Sequence, residues 1–72
     1  MSPKETAIQI LGSALVGADD DLYRTEQSFR HFSEKEMARP YGQSGLSRKD
    51  VLERSRQARA DKKAALRWAE SA

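Results

Sequence analysis

Cysteine is absent from these 72 residues, which rules out a disulfide framework and any thiolate metal site. A single histidine, His31, leaves little for a transition metal, and no metal or cofactor site is read from the sequence. No run of about eighteen apolar residues occurs, so no segment reads as a membrane-spanning helix. The opening Met1-Ser2-Pro3-Lys4-Glu5 has no apolar core of a signal peptide. A soluble, cytoplasmic protein is expected, and the start at Met1 without a tag or linker reads as that of a complete small gene product. Aromatic residues are scarce as well: two phenylalanines, two tyrosines and one tryptophan. With so few large apolar side chains, a lone core of this size supplies no more than about 3–5 kcal/mol. Without disulfide or metal, assembly into a dimer or tetramer is the remaining staple. Catalysis is not expected, because no nucleophile–base pair, convergent carboxylate pair or metal set can be assembled.

What is abundant is charge. A third of the residues are Asp, Glu, Lys or Arg, yet thirteen cations against eleven carboxylates leave a net charge of only +2. That is not the charge of a general nucleic-acid coat. The signs do segregate: Asp19, Asp20 and Asp21 lie in the first half, whereas nine of the thirteen Lys and Arg fall from Arg39 onward. Such asymmetry permits a local anion site without overall basicity.

The apolar spacing predicts an all-α single domain over residues 1–72. Ser2-Pro3-Lys4-Glu5 is a capping box with proline at the first helical position, and Ser47-Arg48-Lys49-Asp50 repeats the logic. Between them, Pro40 to Gly45 is a strong breaker cluster. The first helix is therefore expected over about 3–38, a loop over 39–47 and a second helix over about 48–70. In the first helix, Ile8, Leu11, Leu15, Ala18, Leu22, Thr25, Phe29 and Phe32 alternate steps of three and four, a sustained apolar seam. Gly12 and Gly17 each cost about 1 kcal/mol there, and a break near Gly17 is the alternative to a continuous helix. The second helix offers a stripe of mostly small residues, Val51, Ser55, Ala58, Lys62, Ala65 and Ala69, flanked by Leu52 and Leu66. Lys62 can snorkel or pair with an acid such as Asp21, and Asp50–Arg54 fits an i,i+4 ion pair.

An antiparallel hairpin follows, and it should be lopsided. At ~1.5 Å per residue the helices would span about 54 Å and about 35 Å. Ile8, Ile10 and Leu11 would then overhang uncovered. Together with Leu15 and Trp68 they are the expected oligomer interface, assembling the hairpins into a helical bundle.

The loop Arg39-Pro-Tyr-Gly-Gln-Ser-Gly-Leu-Ser-Arg-Lys-Asp50 is the candidate binding site. A helix N-terminus presents free amides and the positive end of the helix dipole, which suits an anion. Ser44, Ser47, Arg48, Lys49 and Arg39 can hold phosphate oxygens, Tyr41 can stack on a base, Gln43 can read a base edge, and Gly45 lets the backbone approach closely. It is not a P-loop: the glycine spacing is wrong and no strand precedes it. The plain alternative is a connecting turn with Ser47 as an ordinary N-cap. Lys49, Arg56 and Lys63 give the second helix a basic edge, interrupted by Glu53, Asp61 and Glu70, which reads better as a solvated face than as a nucleic-acid surface.

Asp20-Asp21-Leu22-Tyr23-Arg24 and Ser28-Phe29-Arg30, followed by Tyr41-Gly-Gln-Ser-Gly-Leu-Ser-Arg48, resemble segments of small helical-hairpin accessory proteins encoded by tailed bacteriophages. Such proteins include non-enzymatic sponges that oligomerise and sequester cyclic-nucleotide signals of host immunity. The resemblance implies that Tyr41 stacks on a base while Arg39, Ser44, Ser47, Arg48 and Lys49 hold phosphates, in a pocket completed by a neighbouring subunit in the bacterial cytoplasm. Two rival functions remain: a protein–protein inhibitor or assembly factor acting through an exposed apolar helix seam, and nucleic-acid binding through the basic edge.

Overall fold

The computed structural model describes residues 2–71, which form three helices: α1 (Pro3–Phe29), α2 (Glu34–Ala38) and α3 (Arg48–Ser71). The two long helices pack antiparallel, and the short one connects them. No helix among the described residues is long and apolar enough to cross a membrane.

Capping chemistry sets the boundaries. The Ser2 hydroxyl accepts the Glu5 amide at 3.2 Å, and Pro3 occupies the first turn of α1. The helix runs through Gly12 and Gly17 without a break. It ends at Phe29, earlier than the apolar period predicts. The cause is a reciprocal capping box, which the start of α1 forms only by half: Ser33 Oγ accepts the Glu36 amide at 3.2 Å, and the Glu36 carboxylate accepts the Ser33 amide at 3.5 Å. Two otherwise orphaned donors are satisfied by restarting the helix, and the chain turns through Arg30-His31-Phe32 to do so. Arg39 is extended, as the residue before a proline prefers.

This early stop removes the lopsidedness. With 27 and 24 residues, α1 and α3 are about 40 Å and about 36 Å long. The expected overhang of Ile8, Ile10 and Leu11 does not exist. Two contacts fix the register, Ser55 Oγ donating to Asp21 at 3.1 Å and Arg59 pairing with Asp19. Carried along the helices, that register brings Ala69 level with Ile8. Ile8, Leu11 and Leu15 are accordingly half-buried inside the hairpin, and Ala69 is the most enclosed apolar residue at 7% exposure.

The seam and the stripe meet as their spacing predicts. Ile8, Leu11, Leu15, Ala18, Leu22, Thr25, Phe29 and Phe32 are all partly covered, as are Val51, Leu52, Ser55, Ala58, Lys62, Ala65 and Leu66. Asp21 takes the Ser55 hydroxyl rather than Lys62. The core is thin, and no described side chain is fully buried. Ile10, Val16, Tyr23 and Trp68 stay exposed.

Candidate functional site

The bend between α2 and α3 is a small clasp. Pro40 and Ser47 face each other across an antiparallel bridge, and the Tyr41 amide donates to the Leu46 carbonyl at 2.8 Å. Gly42 (φ 68°) and Gly45 (φ 74°) supply the left-handed backbone that closes so short a loop. Ser44 Oγ accepts the Leu46 amide at 3.4 Å.

Ser47 is the one buried polar residue among those described, at 8% exposure, and it caps α3. Its hydroxyl accepts the Asp50 amide at 3.1 Å while Asp50 Oδ2 accepts the Ser47 amide at 3.2 Å. The capping box expected here is present, and it places a carboxylate of the chain itself beside the positive end of the helix. Asp50 therefore turns back to Ser47 instead of pairing with Arg54.

The aromatic side chains near the bend pack on one another. Phe29 meets Phe32 edge-on at 6.2 Å and Tyr41 edge-on at 5.8 Å. The Arg48 guanidinium lies 4.0 Å from the centroid of Phe32 and 4.7 Å from that of Tyr41. A cation seated against two rings is held by their quadrupoles, with about 0.5–2 kcal/mol per contact. Tyr41 is thus engaged with Phe29 of α1, and Arg48 with Phe32 and with Tyr41 itself.

The remaining loop residues diverge from them. Arg39, Gln43, Ser44, Gly45 and Lys49 are exposed, while Tyr41 and Arg48 are half-buried. Lys49 lines a different feature, an open cleft of about 710 Å³ between α2 and α3 whose wall also includes Phe32, Glu34, Met37, Ala38, Leu52 and Arg56. Met37, Ala38 and Leu52 were not singled out from sequence as site residues. The Ser33-Glu34-Lys35-Glu36 box that forms α2 is the signal that would have found this wall.

Elsewhere three ion pairs form among the described residues, one of them between the two long helices. Asp20 binds Arg24 at 3.1 Å, Asp19 pairs with Arg59, and Asp21 takes Ser55, so the three aspartates serve three partners. Arg56 is bound to Glu53 at 3.2 Å, which interrupts the basic edge of α3. His31 is exposed in the turn after α1. No group of three His, Cys, Asp or Glu able to hold a metal occurs among the described residues.

The interface residues expected from sequence also separate. Ile8, Leu11 and Leu15 face α3, whereas Ile10 and Trp68 stand clear of it at 63% and 75% exposure. Comparison with protein-family models, curated proteins and solved structures finds no match to this chain.

Proposed function

We propose that the protein is a non-catalytic protein-binding module, of the inhibitor or assembly-factor kind, that presents to a partner the flank of α1 bearing Val16 and Tyr23. The seam itself is occupied by α3, so the contact surface is the flank beside it. The observation that carries this reading is the exposure of Val16 and Tyr23, at 69% and 63%. Seven residues apart on one helix, they lie two turns apart on one face, the spacing by which a groove reads a helix. Both fall on the side of α1 marked by Asp19, which is held to Arg59.

Photo-crosslinking tests the assignment. A benzophenone amino acid at Val16 or Tyr23 should form protein adducts in the cell of origin, and the same probe at Gln43 should not. Adducts at Gln43 alone, or none from the flank, would overturn the reading.

A second reading, capture of a phosphate-bearing nucleotide as the phage-type resemblance implies, keeps one observation in its favour. The capping box leaves the Arg48 and Lys49 amides outside its hydrogen bonds, and Arg39, Gln43, Ser44 and Lys49 are exposed around them. Thermal shift with cyclic dinucleotides, cyclic trinucleotides and ADP-ribose derivatives checks it. A ligand at a hundred times its Kd adds about 2.7 kcal/mol of apparent stability. That gain should vanish in Arg39→Ala/Lys49→Ala, and no shift with any of these ligands removes the reading.

A further inference from the structure

We infer that the flank opposite Asp19 and Arg59, bearing Ile10 and Trp68, is a homodimer surface whose occupant is the same flank of a second copy. The inference goes beyond the protein-binding reading and is independent of it, because it uses the other side of the hairpin.

Helix geometry brings the two residues together. At about 100° per residue, Ile10 lies roughly a quarter-turn from the α1 seam on the side away from Asp19. Trp68 is rotated from the α3 stripe away from Arg59, toward that same side. The register set by Ser55–Asp21 and Arg59–Asp19 places Trp68 near the level of Ile10, at the open end of the hairpin.

Surface area sets the scale of the contact. A compact folded chain of 8.1 kDa exposes roughly 4,500 Å². This chain exposes 5491 Å², an excess of about 1,000 Å² over that scaling. A standard stable interface removes about 800 Å² from each partner. The excess comes from shape: with extents of 49 × 20 × 19 Å the hairpin is one helix pair thick, and a second pair laid against it makes a four-helix bundle.

The relief of the flank suits its own copy. Ala14, Gly17 and Ala65 lie on the same side as Ile10 and Trp68, so bulky side chains stand beside shallow ground. A two-fold axis lets each protomer's Trp68 and Ile10 settle over the partner's small residues. Gly17 is exposed and a Cβ built there meets nothing within 4 Å, as is also true of Gly12 on the opposite flank, so the protomer leaves this ground open.

Sedimentation equilibrium of the full chain, combined with fluorescence of the single tryptophan, tests the proposal. The expected result is a mass of twice 8.1 kDa at micromolar concentration, with Trp68 emission shifting to the blue as protein concentration rises. Ile10→Glu should return the mass to that of the monomer at unchanged helicity, and Val16→Glu should leave the dimer intact. A helical monomer at all concentrations would overturn the proposal. So would a dimer whose Trp68 emission stays that of solvated indole, because the contact would then lie on another face. Should Ile10→Glu unfold, the wild-type emission shift still decides the matter. Crosslinks from Val16 or Tyr23 to a different protein are unaffected by any of these outcomes, so the two readings fail separately.

Discussion

The bend and the open end of this hairpin solve the same problem in opposite ways. Both lie at the limits of a thin core. At the bend the chain encloses itself with two capping boxes, the Pro40–Ser47 bridge and the cluster of Phe29, Phe32, Tyr41 and Arg48. At the open end Ile8, Leu11, Leu15 and Ala69 make a narrow strip of contact while Ile10 and Trp68 stand in solvent. The difference is one of self-coverage: the bend packs its aromatic groups and Arg48 against one another, whereas the open end leaves Ile10 and Trp68 uncovered.

Removing an aromatic side chain from the bend should break that division most severely. Phe29 touches both Phe32 and Tyr41, and Tyr41 in turn supports Arg48. Phe29→Ala should lower unfolding free energy by about 2–3 kcal/mol, somewhat below the full cost for a buried phenylalanine because this ring is only half-covered. Urea denaturation followed by circular dichroism measures it. A loss under about 0.5 kcal/mol would mean that the cluster contributes little and that Arg48 is available to a ligand after all.

A smaller effect distinguishes cap from binding site. Ser47→Ala removes the hydroxyl that accepts the Asp50 amide and should cost about 1 kcal/mol. On the protein-binding reading the loss appears as stability alone, with crosslinking from Val16 unchanged. A loss of ligand-induced thermal shift at preserved stability would instead place Ser47 in a nucleotide site.

These contrasts also show what could be read from the sequence. The antiparallel pairing was legible because steps of three and four in α1 and small residues at the same spacing in α3 each define one face, and helix geometry does the rest. The end of α1 was harder to see, because Phe32 stays in phase with the seam although the helix has already stopped at Phe29. Periodicity cannot report a break that preserves phase. The capping signature Ser33-x-x-Glu36 could have reported it. The destination of Arg48 was not legible at all. A cation at a helix N-terminus has the same sequence appearance whether it waits for phosphate or folds back onto rings supplied by the turn after α1 and the loop after α2. Only the turn after α1, which places Phe32, and the chain after α2, which places Tyr41, decide between them.

The two helix-interior glycines sharpen the comparison most finely. Gly12 and Gly17 both have open space where a Cβ would stand, so within the protomer each substitution by alanine should raise stability by about 0.5–1 kcal/mol, through helix propensity and a less free unfolded chain. Their surroundings in a dimer differ. Gly12 lies toward the Asp19 flank and Gly17 toward that of Ile10. Gly12→Ala should therefore leave the dimerisation constant unchanged, whereas Gly17→Ala should weaken association by filling the ground on which the partner rests. Thermal denaturation of dilute samples reads the first effect, and sedimentation equilibrium the second. If both alanines raise stability and neither changes association, the small-residue ground is not a contact, and Ile10 and Trp68 must meet their partner without it.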